Sequence, residues 1–108
     1  MRITESNTDF GKVIFYNRKQ YCFALYKYAD ESDILYLANV EVFEKFRGKG
    51  FGNNLLNEAK SESLRIGAKS LYLKCNPKLW VYDWYLRNGF KHLQYDKDNV
   101  FVWMRFDF

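Results

Sequence analysis

Arg47-Gly48-Lys49-Gly50-Phe51-Gly52 joins two stretches of different periodicity. Before it, Asn39-Val40-Glu41-Val42-Phe43 is rich in β-branched residues and reads as a strand. After it, Asn53-Asn54-Leu55-Leu56 opens an amphipathic, helical run. Glycine has no Cβ, so glycines at alternate positions let the backbone turn tightly and bring bare N–H groups up to a ligand. A helix that starts there adds unpaired amides and about half an elementary charge of positive dipole. Strand, glycine loop and helix N-terminus together predict a cradle for the phosphates of a cofactor.

Working outward, Lys12-Val13-Ile14-Phe15-Tyr16 and Tyr21-Cys22-Phe23-Ala24-Leu25-Tyr26 read as strands, with Asn17-Arg18-Lys19-Gln20 as a hairpin connector. Ile34 to Phe43 is nearly continuous in apolar character, which predicts a central strand. From Gly50 to Ile66, Phe51, Leu55 and Ala59 form one row beside Glu58, Lys60, Glu62 and Arg65, and Gly67 is a natural stop. Leu71 to Cys75 is a further strand. Asn76-Pro77 predicts an N-cap with proline at the first helical position, opening a second helix that ends near Asn88-Gly89. Phe90 to Tyr95 and Val100 to Phe106 read as two last strands. The expected architecture is one α/β (α+β) domain over residues 1–108, a mostly antiparallel, mixed central sheet of about six strands with two main helices.

Composition bounds the rest. The chain has 108 residues, 48% of them apolar and 20% aromatic, enough for a packed core and against disorder. No stretch approaches the roughly 20 apolar residues that span a bilayer, and the N-terminus lacks the apolar run of a signal peptide. Cys22 and Cys75 lie far apart and His92 is the single histidine, so the expectation is two reduced thiols in a cytoplasmic protein and no metal. A net charge of +4 suits an anionic cofactor, an acidic partner or RNA without choosing among them.

The loop is neither a P-loop, which needs G-x-x-x-x-G-K-[ST], nor a dinucleotide fingerprint, which needs G-x-G-x-x-G. Arginine followed by x-x-G-x-G between strand and helix, as in Arg47 to Gly52, resembles the GCN5-related N-acetyltransferase (GNAT) family. Trp84-Tyr85-Leu86-Arg87-Asn88-Gly89-Phe90 resembles that family's aromatic-Tyr-x-x-x-Gly-Phe segment, and the likeness runs from about residue 12 to 108. The resemblance implies an acyltransferase that uses acetyl-CoA as co-substrate and delivers the acetyl group to a primary amine by direct attack. It also implies roles for residues. Val40 and Val42 offer backbone groups to the pantetheine arm, amides from Gly48, Lys49, Gly50, Phe51, Gly52 and Asn53 hold the pyrophosphate, and Arg47 and Lys49 add charge. Asn76 is the candidate cofactor contact of the second helix, and Tyr85 is the acid for the departing thiolate.

Three departures shape the expectation. The spacing from Asn76 to Tyr85 is longer than the family's pattern, putting Lys78 in the usual register and leaving Asn76 the alternative role of cap. The central strand has Ala38 and Asn39 where many members carry a carboxylate base; Glu41 is the nearest acid, but it should point opposite to Val40 and Val42. Little chain precedes Lys12, and the 17–20 connector has no room for the family's first helices. That favours a large acceptor such as a protein amine, or a homodimer partner that completes the wall. The cluster Trp80, Tyr82 and Trp84 is expected to pack rather than to line a channel. Rival readings are a non-catalytic acyl-CoA-binding or regulatory module, and a small basic RNA- or protein-binding domain, which would leave the glycine loop without a role.

Overall fold

The computed structural model describes residues 2–108. Seven strands form one sheet in the order β1-β2-β3-β4-β5-β7-β6. They are β1 (Arg2–Thr8), β2 (Gly11–Asn17), β3 (Tyr21–Tyr28), β4 (Ile34–Val42), β5 (Ser70–Cys75), β6 (Lys91–Tyr95) and β7 (Val102–Asp107). Helices α1 (Phe51–Ile66) and α2 (Trp80–Arg87) follow β4 and β5. Only β4 and β5 pair in parallel; every other neighbouring pair is antiparallel. β4 is the fourth of seven strands, central as its apolar run predicts.

The sequence reading missed β1. Its residues are all exposed and only Ile3 is a large apolar residue, so no alternation marks it. Hydrogen bonding to β2 holds it in full register, from Arg2 opposite Asn17 to Thr8 opposite Gly11. The hairpin turn is closed by Thr8 Oγ1, which accepts the N–H groups of Phe10 (3.2 Å) and Gly11 (3.1 Å). The second helix begins at Trp80 rather than at Pro77. Asn76 Oδ1 accepts the Lys78 N–H at 2.9 Å and Asn76 O accepts the Leu79 N–H at 3.1 Å, so Asn76 caps a turn in front of the helix.

Both helices lie on one face of the sheet. Leu55, Leu56 and Ala59 of α1 and Tyr85 of α2 share one buried cluster with Phe23, Leu25, Leu35, Leu37, Leu71, Leu73 and Met104 of the strands. The 3.6-residue period of α1 produces this stripe, and Gly67 ends the helix at φ 104° with its N–H on Leu64. Lys60 ties the helices together: its Nζ donates to the Asn88 carbonyl at 2.6 Å and sits 4.1 Å from the Phe106 ring centroid. Across the opposite face, Tyr26, Tyr36, Tyr72 and Arg105 stand in one row on four adjacent strands. No helix among the described residues is long and apolar enough to cross a membrane.

Candidate functional site

The parallel pair is short. β4 and β5 match only at Ile34–Ser70, Leu35–Leu71 and Tyr36–Tyr72, and beyond these the strands part. A bulge accompanies the parting: Cys22 faces Glu41 and Ala24 faces Ala38, so β4 carries one extra residue there. Asn39 absorbs it in the left-handed region at φ 55°, a conformation that asparagine tolerates better than most residues. Because the bulge shifts the alternation, Val40 and Val42 pack against the core after Leu35 and Leu37 have done so before it. A hollow of about 820 Å³ fills the split on the helix side.

The glycine loop forms one wall of that hollow. Gly48 (φ 75°) and Gly50 (φ 86°) sit in the left-handed region, and a Cβ at either would meet no atom within 4 Å. Backbone conformation, not crowding, demands glycine at these two positions. Gly50 is the N-cap of α1 and provides no side-chain cap, and the first turn holds no acidic residue. Among the described residues, the amides of Gly48, Lys49, Gly50, Phe51 and Gly52 take no backbone acceptor, whereas the Asn53 amide bonds the Gly50 carbonyl at 3.2 Å. Five free donors therefore meet the dipole's positive end, and Asn53 lines the hollow with its amide already engaged.

Arg47 is held in place by β4. Its Nε donates to the Val42 carbonyl at 2.8 Å and its guanidinium lies 3.9 Å from Glu41. The Phe43 N–H reaches Gln20 on the β3 side, so by strand alternation the peptide groups of Val42 and Val40 face the split. The Val42 carbonyl already has a donor, which leaves the Val42 N–H and the Val40 groups open. Glu41 is exposed and paired with Arg47, on the register of Cys22. Lys49 is exposed at the loop tip and lies off the hollow's wall, while Asn76 lies on it.

Tyr85 closes the inner end. Only 6% of it is exposed, and burial, with a smaller contribution from Cys75, pushes its phenol up to about 12. Its hydroxyl bonds no described residue, yet no buried side-chain oxygen is left without a partner, so the hydroxyl opens to the hollow. Cys75, on the same wall, has its thiol pushed up by burial and bonded to Met104 Sδ at 3.6 Å. The expected packing role of Trp80 is wrong: it is 72% exposed and forms the rim, 6.0 Å from the Trp84 ring. Its position early in a short helix gives it solvent on one side. Trp84 and Tyr82 do pack, Trp84 on Tyr85 at 5.0 Å, and Tyr82 through a 2.9 Å hydrogen bond to His92 Nδ1. Leu37, Leu73, Leu79 and Phe101 also line the hollow, and no local signal distinguished them from other apolar residues.

A mixed sheet split at its one parallel pair, with a glycine-loop helix N-terminus over the split, is the framework of an acyltransferase fold. Residues 6–92 match the family model described as an acetyltransferase (GNAT) domain, and the chain belongs to that family. A search of curated proteins finds no match. Among solved structures, a Bacillus subtilis acetyltransferase in complex with CoA is 16% identical, covering 93% of this chain and 78% of its own, with TM-score 0.72. A GNAT acetyltransferase from Elizabethkingia anophelis with acetyl-CoA bound is 15% identical over 90% of this chain and 76% of its own, TM-score 0.68. The PaiA N-acetyltransferase of Thermoplasma acidophilum, in complex with coenzyme A, is 19% identical over 89% and 60%, TM-score 0.72. At these identities the likeness is one of fold.

Proposed function

We propose that this chain transfers an acetyl group from acetyl-CoA to a primary amine. The observation that carries the reading is the set of unpaired amides of residues 48–52 at the mouth of a hollow that ends at the β4–β5 split beside Tyr85. In this reading those amides and the α1 dipole grip the pyrophosphate, with Arg47 nearby. The groove-facing groups of Val40 and Val42 pair with the pantetheine arm as a neighbouring strand would. An N–H of the same strand stabilises the oxygen that becomes negative as the amine attacks. Tyr85 stays protonated across the working pH range and donates to the sulfur as the carbon–sulfur bond breaks.

A non-catalytic acyl-CoA module is favoured by one observation, that Glu41 is engaged by Arg47 rather than aimed into the split. Against it, the Tyr85 hydroxyl lies open to the hollow at the position where an acid would work. Two free thiols, Cys22 and Cys75, support a reducing compartment such as the cytoplasm. Thermal unfolding tests the reading: acetyl-CoA at 100 times its dissociation constant should add about 2.7 kcal/mol. Desulfo-CoA should stabilise comparably and ATP far less. No stabilisation by acetyl-CoA, with no CoA released in the presence of any amine, would reject it.

A further inference from the structure

Trp80 has no task in the acetyl-transfer reading, and its setting is unfavourable. The indole is 72% exposed and the adjoining Leu79 is 55% exposed, so two large apolar side chains stand side by side in water. Single apolar residues scattered over a surface need no cause, but these two are neighbours and both line the hollow. Burying such a surface against a ligand would recover the free energy that its exposure costs.

Helix geometry ties Trp80 to the glycine loop. Trp80 and Trp84 are four residues apart on α2, so they share one face, with ring centroids 6.0 Å apart. The two rings are tilted by 49°, which keeps Trp84 from stacking flat on Trp80 and leaves an indole face open. Trp84 in turn lies against Gly52, where a β-carbon would stand 3.3 Å from Cζ2. Gly52 is the last of the unpaired amides of residues 48–52. Trp80 therefore stands one indole beyond the cradle. It is on the outer side, because Tyr85, 5.0 Å from Trp84 and only 6% exposed, closes the inner end.

We propose that Trp80 is the platform on which the adenine of acetyl-CoA stacks. The inference rests on the acetyl-transfer reading for its ligand. A pyrophosphate on amides 48–52 carries two tails. The acyl-bearing arm runs inward toward Tyr85, and the ribose with its purine leaves by the mouth, where Trp80 stands. A nucleobase offers a flat π-face, and an aromatic side chain holds it by stacking, without hydrogen-bond readout. The donor is thereby chosen by its nucleotide: a thioester on the phosphopantetheine of a carrier protein has no base and forgoes the stack.

The test is calorimetry with acetyl-CoA and with S-acetyl-4′-phosphopantetheine, which keeps the arm and one phosphate but lacks the nucleoside. Trp80→Ala should weaken acetyl-CoA binding roughly tenfold, about 1.4 kcal/mol, and Trp80→Phe should restore most of it. Neither variant should change the affinity for the truncated donor. Phe10 is equally exposed, in the β1–β2 turn and off the hollow's wall, so Phe10→Ala should change neither affinity. An unfolding midpoint near that of wild type, expected for so exposed a side chain, shows that Trp80→Ala keeps its fold. Etheno-CoA adds an optical readout: at saturation its fluorescent base should be dimmed by wild type and stay bright on Trp80→Ala. Unchanged acetyl-CoA affinity in Trp80→Ala, or an equal loss for both donors, would overturn the proposal while acetyl transfer stands. Wild type that binds neither donor would overturn the proposal together with the reading beneath it.

Discussion

Gly52 in the first turn of α1 lies against the indole of Trp84 on α2, so closely that a β-carbon at position 52 would stand 3.3 Å from Trp84 Cζ2. This contact sets how near the two helices approach at the mouth of the hollow, and both residues line it. Alanine at 52 would gain about 0.5–1 kcal/mol of helix preference and lose a similar amount by displacing the indole. Gly52→Ala should therefore change the unfolding midpoint little while weakening acetyl-CoA binding roughly tenfold, about 1.4 kcal/mol. Thermal unfolding alongside an acetyl-CoA titration separates the two effects. A variant with unchanged affinity would show that the indole does not shape the site.

Gly48 and Gly50 should behave differently, because there the backbone rather than a neighbour sets the limit. Alanine at position 50 costs about 1–2 kcal/mol for the left-handed conformation. Asparagine should recover part of that loss, and neither change introduces a steric clash. Urea midpoints should therefore fall in the order wild type, Gly50→Asn, Gly50→Ala. Equal midpoints for the two variants would mean that the backbone conformation is not what selects glycine.

Tyr85→Phe removes a hydroxyl that bonds nothing else described in the chain. Stability and acetyl-CoA affinity should be retained, while kcat falls by about 10²–10⁴ if the phenol serves the leaving sulfur. Steady-state turnover with a calorimetric affinity measures both. An unchanged kcat would remove Tyr85 from the chemistry.

Tyr21, Tyr36 and Tyr85 each have their phenol pushed up to about 12, by burial first, with Glu58 adding for Tyr21, Glu31 for Tyr36 and Cys75 for Tyr85. The folded pKa values exceed the unfolded value of about 10, so folding favours the protonated form. The stability this contributes is complete below about pH 10 and is lost as the pH rises toward 12. Denaturant midpoints should hold steady up to about pH 10 and then fall, in step with tyrosinate absorbance. A fall beginning near pH 8 would contradict the burial of these groups.

Arg18 in the β2–β3 turn fastens that turn to α1. Its guanidinium donates to both oxygens of Glu58, and Tyr21 donates to the same carboxylate at 2.8 Å. Arg18 and then Tyr21 hold the Glu58 carboxyl below its ordinary range, and burial opposes them. Arg18→Met would leave a largely covered carboxylate with one partner, a loss of about 1–3 kcal/mol measurable by urea unfolding. The wild-type chain should carry this contribution above the unfolded carboxylate pKa of about 4.3 and shed it as the pH falls further.

Much of this molecule was legible locally. Gly67 marked the end of α1, Ile34 to Val42 marked the central strand, and the glycine loop marked the start of α1 at Phe51. The second helix was misread at its start because Asn76-Pro77 has the composition of a cap, while its side chain serves a turn. β1 escaped because a strand exposed on both faces carries no burial period. The aromatic row Tyr26, Tyr36, Tyr72 was invisible because its members come from three strands and meet only through register.

Glycine dihedral freedom and the apolar period of a helix are properties of neighbouring residues, and the chain's letters alone determined them. The parting of β4 from β5, the left-handed turn at Asn39 and the capture of Arg47 by Val42 and Glu41 were decided only by the tertiary structure. Each depends on which distant segments share a register. Pairing and side-chain partnership arise from packing across the sheet, and local sequence holds no record of what stands on the next strand.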